Sequence, residues 1–214
     1  MPRVFLCQPE FQSVSAIRDA IKARGASVAL STVSKALARM LDDVLIDRTD
    51  SRIRLLQADL LLEKLRESFS MPTARREVRL KTVNGLGPFF EQVNQSTATP
   101  LLVLSGASSQ PQYSAGLRAD EPVAYCRQLA ALEGSRSGWE TTERFADLTV
   151  IEPGDRTPFF DARRNNGGVT FASPIQSYLE LAAGDKRDRE MAEQIGAAIL
   201  RDVSGPGERR NDDK

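Results

Sequence analysis

Apolar residues recur at helical spacing in the first third of the chain. Val14, Ile17, Ala20 and Ile21 share one side of "VSAIRDAIKA", and Val33, Leu37, Met40 and Leu41 share one side of "STVSKALARML". Ser13 stands where an N-cap hydroxyl can accept from an otherwise unpaired backbone N–H, and Gly25 is placed as a helix stop. Ser31 or Thr32 is expected to open the second helix. The pattern then changes period. "VLIDR", the polar turn Thr49-Asp50-Ser51 and "RIRLL" read as a β-hairpin. "QADLLLEKLRESF" returns to a helix capped near Gln57 or Asp59, with Leu60, Leu61, Leu65 and Phe69 as its apolar positions.

Helix, turn, helix, hairpin, helix over 13–69 is the element order of a winged helix-turn-helix. Only "MPRVFLCQPE" precedes it, which leaves a very short first helix, a late start or an incomplete one. "SMPTARR", 70–76, has the proline, polar and charged residues of a linker, so a second domain is expected from about Arg75. There "REVRLKTV", "TPLLVLSG", "PVAYC", "DLTVIEP" and "GGVTFAS" are strand candidates, the last one following an Asn165-Asn166-Gly167-Gly168 turn. "LGPFFEQVNQ", "SPIQSYLELAAG" and "DREMAEQIGAAILRDV" are helix candidates, with Ser173 capping a first-turn Pro174. The fold class expected is α+β. A DNA-binding domain over 1–69, a linker over 70–76, a mixed α/β domain over 77–204 and a disordered tail over 205–214 make up the chain.

Charge changes this picture. The whole chain carries 29 basic and 29 acidic residues and is formally neutral, which speaks against nucleic acid. The first 81 residues, however, hold 15 Lys or Arg against 10 Asp or Glu, and the remainder holds 14 against 19. A basic front half and an acidic rear half suit different partners. There is no histidine, which removes Ser-His and Cys-His catalytic pairs and most zinc sites. Cys7 and Cys126 fit no metal or redox spacing and are expected to be free thiols of a reducing cytoplasm. No apolar run approaches the roughly 20 residues that span a bilayer, and no signal-peptide cleavage pattern is evident. No metal, cofactor or membrane is expected.

With Val33, Leu37, Met40 and Leu41 turned inward, Ser31, Thr32, Lys35 and Arg39 face out of the second helix, beside the small Ala38. In a helix-turn-helix this is the surface that meets base edges. Lysine and arginine donate to guanine O6 and N7, and serine or threonine bonds bases or phosphates. Arg48, Arg52 and Arg54 lie on the hairpin, within reach of phosphates or the minor groove. One position opposes the pattern: Val44 stands where such a helix commonly ends on glycine. A β-branched residue resists a left-handed cap, so a different helix end is expected there.

Three stretches together resemble the AbiEi-family antitoxins of type IV toxin–antitoxin systems. The first runs from "PEFQSVSAIRDAI" through "STVSKALARMLDDVLIDR" to "IRLLQADLLLEKLRES". The second is "SPIQSYLELAAGDKRDREMAEQI", where Ser173, Pro174, Gln176, Tyr178, Leu179 and Leu181 match a Ser-Pro-x-Gln-x-Tyr-Leu-Asp-Leu helix and Glu180 stands for its acidic residue. The third is "LVLSGASS", similar to that family's central strand and small-residue turn. The resemblance implies a cytoplasmic DNA-binding repressor of its own operon that counteracts a nucleotidyltransferase-like toxin. It also implies a C-terminal domain of nucleotidyltransferase-like fold without that activity. The partners implied are double-stranded operator DNA, with an inverted repeat contacted by two copies, and a cognate toxin. A stand-alone winged-helix transcription factor and an active nucleotidyltransferase are the alternatives; a nucleotidyltransferase-like gene directly downstream separates the first from the antitoxin.

Nucleotidyltransferases place two acidic residues on strands after a Gly-Ser turn to hold metal ions. Ser105, Gly106, Ser108 and Ser109 echo such a turn, but Gln110, Pro111, Gln112 and Tyr113 follow it. Asp147 and Glu152 are five positions apart on a strand candidate, an odd separation that points them to opposite faces. No enzymatic activity is expected. Arg163 and Arg164 read as a solvated loop, and Tyr113, Trp139 and Tyr178 as packing residues.

Overall fold

The computed structural model describes residues 1–95, 99–115, 121–134 and 138–205, a mixed α+β fold with two sheets. Of the expected disordered tail, only Gly205 lies within the described residues.

The chain opens with a four-residue helix, α1 (Val4–Cys7), and a short strand, β1 (Glu10–Phe11). The sequence pattern shows no strand at β1, because two residues carry no alternation. Phe5 and Phe11 meet edge to face at 5.2 Å. Helix α2 (Val14–Ala23) is capped as expected by Ser13, whose hydroxyl accepts from the Ala16 N–H. It ends in a Schellman turn: Gly25 N–H donates to Lys22 O and Ala26 N–H to Ile21 O, with Gly25 at φ +80°.

Helix α3 (Leu30–Asp42) starts earlier than expected. Ala29 is its N-cap and makes no side-chain cap bond, so Ser31 and Thr32 lie within the first turn and do not cap it. Its end is a second Schellman turn, with Val44 N–H donating to Leu41 O and Leu45 N–H to Met40 O. Val44 occupies the left-handed position at φ +55°, so the residue expected to forbid this cap adopts it. Burial of Leu45 and Ile46 on the far side of the turn provides the compensation. A left-handed residue other than glycine costs about 1–2 kcal/mol, and the Val44 side chain is exposed. Val44→Gly should therefore raise stability by about 1 kcal/mol in urea unfolding; a loss of stability would refute the strain.

The hairpin forms as expected, from β2 (Ile46–Arg48) and β3 (Ile53–Leu55), and β3 also pairs antiparallel with β1. The three-stranded sheet has the order β1-β3-β2. Helix α4 (Ala58–Glu67) follows, with Gln57 at its cap position but no side-chain cap bond. It buries Leu61 and Leu62, while Leu60 and Leu65 sit at the edge of the core.

The larger sheet begins inside the expected linker, since β4 (Ala74–Thr82) includes its last three residues. Then come α5 (Leu86–Asn94), β5 (Leu102–Leu104), β6 (Val123–Cys126), α6 (Leu129–Gly134), β7 (Trp139–Thr141) and β8 (Leu148–Pro153). Strands β9 (Arg163–Arg164) and β10 (Thr170–Phe171) flank the Asn-Asn-Gly-Gly turn, whose left-handed residue is Gly168. The sheet order is β7-β4-β8-β6-β5-β10-β9. Its β6–β8 and β5–β10 pairs are parallel, and its β4–β8, β4–β7, β5–β6 and β9–β10 pairs antiparallel. Helices α7 (Pro174–Ala182) and α8 (Lys186–Ser204) close the chain, α7 capped by Ser173 as expected.

One apolar core joins α1–α4 to the last two helices. Ile17, Leu37 and Leu61 belong to the same buried cluster as Leu179, Ile195 and Ile199. At about 1.5–3 kcal/mol for each fully buried large aliphatic side chain, this contact does not behave as a loose interdomain linkage. Leu62 is drawn in by α8, where a β-carbon on Gly196 would lie 3.7 Å from it and 3.0 Å from Tyr178. Tyr178 is thus a packing residue, as expected. A second core lies around Leu80, Phe90, Leu102 and Leu148 in the larger sheet, with Trp139 packed against it.

Candidate nucleic-acid interface

The burial pattern of α3 is two-sided: Val33, Leu37 and Met40 are buried and Leu41 is half-buried. Ser31, Thr32, Lys35, Ala38 and Arg39 are exposed. Neither Lys35 nor Arg39 forms an ion pair among the described residues. The missing side-chain cap at Ala29 leaves first-turn N–H groups without a side-chain acceptor, at the positive end of a 13-residue helix dipole. The hydroxyls Ser31 and Thr32 stand in the first turn of the exposed face, Lys35 near its middle and Arg39 in its last turn. Asp42 and Asp43 occupy its C-terminal end, and Asp43 is paired with Lys64 at 3.2 Å.

The hairpin arginines separate into two kinds. Arg48 and Arg52 are exposed near the tip, with Arg52 3.8 Å from Glu10 across solvent. Such an exposed pair contributes little and can exchange partners. Arg54 is half-buried on the central strand, opposite Asp47 on one side and Glu10 on the other. Two acidic cross-strand neighbours offset its charge, which the linear sequence did not reveal because Glu10 arrives from β1. Lys35 and Arg39 also border a hollow of about 640 Å³ against α4, floored by Leu61 and Leu65.

The second stretch of interest, the turn after β5, is built around a carboxylate. Glu180 on α7 is 3 % exposed. Its Oε1 accepts from Gln176 Nε2 at 2.8 Å and its Oε2 from the Ala107 N–H at 3.0 Å, and the nearby Gly106 amide and Tyr125 hydroxyl also favour its charged form. Burial pushes its pKa up, against these donors. Gln176 Oε1 in turn accepts from Arg3 Nη1 at 2.6 Å. A β-carbon on Gly106 would lie 2.5 Å from Gln176 O, so only glycine lets the turn approach α7 this closely. The chain's N-terminus, the small-residue turn and the Ser-Pro-x-Gln helix thus meet in one polar knot. Spacing of Gln176 and Glu180 by four residues signals a shared helix face, but nothing in the sequence pairs that face with Gly106 or Arg3.

The turn hydroxyls are engaged internally. Ser105 Oγ accepts from Ser108 N–H, Ser108 Oγ from Val123 N–H, and Ser109 Oγ from Ala172 N–H. Asp147 accepts from the Thr82 backbone and hydroxyl, and Glu152 from the Leu129 N–H. Each carboxylate serves a different backbone element. Among the described residues no group of three or more His, Cys, Asp or Glu is arranged to hold a metal ion. Cys7 and Cys126 are free, and burial raises the pKa of both thiols to about 11. Tyr113 donates to Ala172 O, and Arg163 and Arg164, which form strand β9 and not a loop, pair with Asp161 and Glu91. No described helix is long and apolar enough to cross a membrane. Comparison with family models, with curated proteins and with solved structures finds no significant match for this chain.

Proposed function

We propose that this protein is a DNA-binding transcriptional regulator whose first 69 residues act as a winged helix-turn-helix. The observation that carries the reading is the β2–β3 hairpin directly after α2 and α3, paired through β3 with the preceding β1, with Lys35 and Arg39 exposed on α3. In that arrangement α3 is the recognition helix. Ser31, Thr32, Lys35 and Arg39 meet base edges or flanking phosphates, and Arg48 and Arg52 carry the wing to the backbone. Arg54 contributes least, because Asp47 and Glu10 flank it.

The antitoxin reading rests on the resemblance of the N-terminal block, "LVLSGASS" and "SPIQSYLEL". In it a cytoplasmic protein represses its own operon from an inverted repeat bound by two copies, and its nucleotidyltransferase-like second half counteracts a cognate toxin without catalysis. Engagement of Ser105, Ser108, Ser109, Asp147 and Glu152 in backbone contacts supports a non-enzymatic second half.

The test is an electrophoretic shift with the DNA upstream of the protein's own gene at about 50 and 200 mM salt. A protein neutralising 6–10 phosphates should lose about 10³–10⁵ in affinity over that range. Absence of any shift at low salt sinks the DNA reading.

A further inference from the structure

A cleft of about 510 Å³ lies where the α2–α3 turn meets the second half of the protein. Arg3, Arg127 and Arg156 line it together with the apolar Ile21, Val28 and Phe160. These three arginines come from the N-terminus, the loop after β6 and the loop after β8. None of them forms an ion pair among the described residues. Asp155 and Glu180 are the acidic neighbours of Arg3; Asp155 Oδ1 already accepts from the Thr157 N–H, and Arg3 Nη1 donates to Gln176 Oε1.

Two contacts hold Arg127 in place. Its guanidinium stacks 4.3 Å over the Phe159 ring, and its Nε donates to Pro100 O at 2.8 Å. These two contacts fix the plane of the fork. Its Nη2 is buried and has no hydrogen-bond partner, and it lies 3.8 Å from where a Gly25 β-carbon would be. A buried charged donor without an acceptor is costly, and an anion that accepts from it removes the cost. Desolvation of Arg3, which brings its pKa down to about 10, points the same way. A planar fork fixed by stacking is suited to bidentate phosphate recognition, and a cleft of this size takes a small organic molecule.

We propose that this cleft binds an organic phosphate, with the phosphate between Arg127, Arg156 and Arg3 and the organic part against Ile21, Val28 and Phe160. The site stands whether or not α3 binds DNA. Its ligand touches the turn that sets α3 against the second half.

The probe is sodium pyrophosphate, titrated into the full chain at ionic strength held constant with sodium chloride. A saturable rise in Tm is expected, about 3–6 °C at ten times the half-saturating concentration. Amide NMR shifts should centre on Gly25–Val28. Arg156→Gln, on an exposed loop, should raise the half-saturating concentration at least about tenfold, and Arg127→Met should abolish saturation. A rise linear in pyrophosphate and equal in Arg156→Gln is general salt stabilisation, and it overturns the proposal. So do saturable shifts that map elsewhere. Arg156→Gln decides the matter even if Arg127→Met fails to fold.

Discussion

Glu180→Ala is expected to destabilise the protein by about 2–6 kcal/mol in equilibrium denaturation, from two buried donors left unpaired at about 1–3 kcal/mol each. Alanine would leave the Ala107 amide and Gln176 Nε2 without their common acceptor, in a site closed to water. Glu180→Gln keeps the volume and one acceptor and should cost less, about 1–3 kcal/mol. The two forms also differ in pH dependence. Burial raises the Glu180 pKa above its ordinary 4.5, so the folded state holds its proton more tightly than the unfolded chain. The stability this contributes is complete below pH 4.5 and is lost as pH rises through the raised value. Wild-type stability measured against Glu180→Gln should therefore fall as pH rises from 4.5. A constant difference across that range would show that the donors outweigh burial. An alanine variant as stable as wild type would show that the knot does not hold α7 to the turn.

Lys35→Ala and Arg39→Ala should each weaken binding to the upstream DNA by about 1–3 kcal/mol, roughly 5- to 150-fold, if they reach base edges. Both side chains are exposed, so stability should stay within about 0.5 kcal/mol of wild type. The two kinds of contact are separable. Loss of a base contact falls on the specific site more than on unrelated DNA. Loss of a phosphate contact weakens both alike and lowers the salt slope by about one. Unchanged gel shifts with both residues replaced would remove α3 from the interface.

The local signals in the chain were reliable where a single element supplied the reason. Ser13 and Ser173 cap their helices, Gly25 ends α2, and the Thr49-Asp50-Ser51 turn joins two strands, because capping and turn chemistry act within a few residues. The buried face of α3 was legible for the same reason. Failures occurred where a distant partner decided the outcome. Val44 takes the left-handed conformation because Leu45 and Ile46 must turn back into the core, which outweighs its local preference. β1 exists only because β3 gives its two residues a neighbour. The strand beginning inside the expected linker has β8 to pair with from Ala74 onward.

The candidate sites divide along the same line. Helical period by itself determined which residues of α3 face outward, and composition excluded histidine chemistry outright. The tertiary structure decided which of those charges remain available: Arg54 is offset by Glu10 and Asp47, neighbours set by strand pairing. It alone brought Arg3, Arg127 and Arg156 around one cleft, and Gly106, Gln176 and Glu180 into one knot. Periodicity reports the burial of one face of one element. Which charges and donors end up opposite one another depends on chain crossings more than a hundred residues apart in sequence, such as Arg3 to Gln176, 173 positions away.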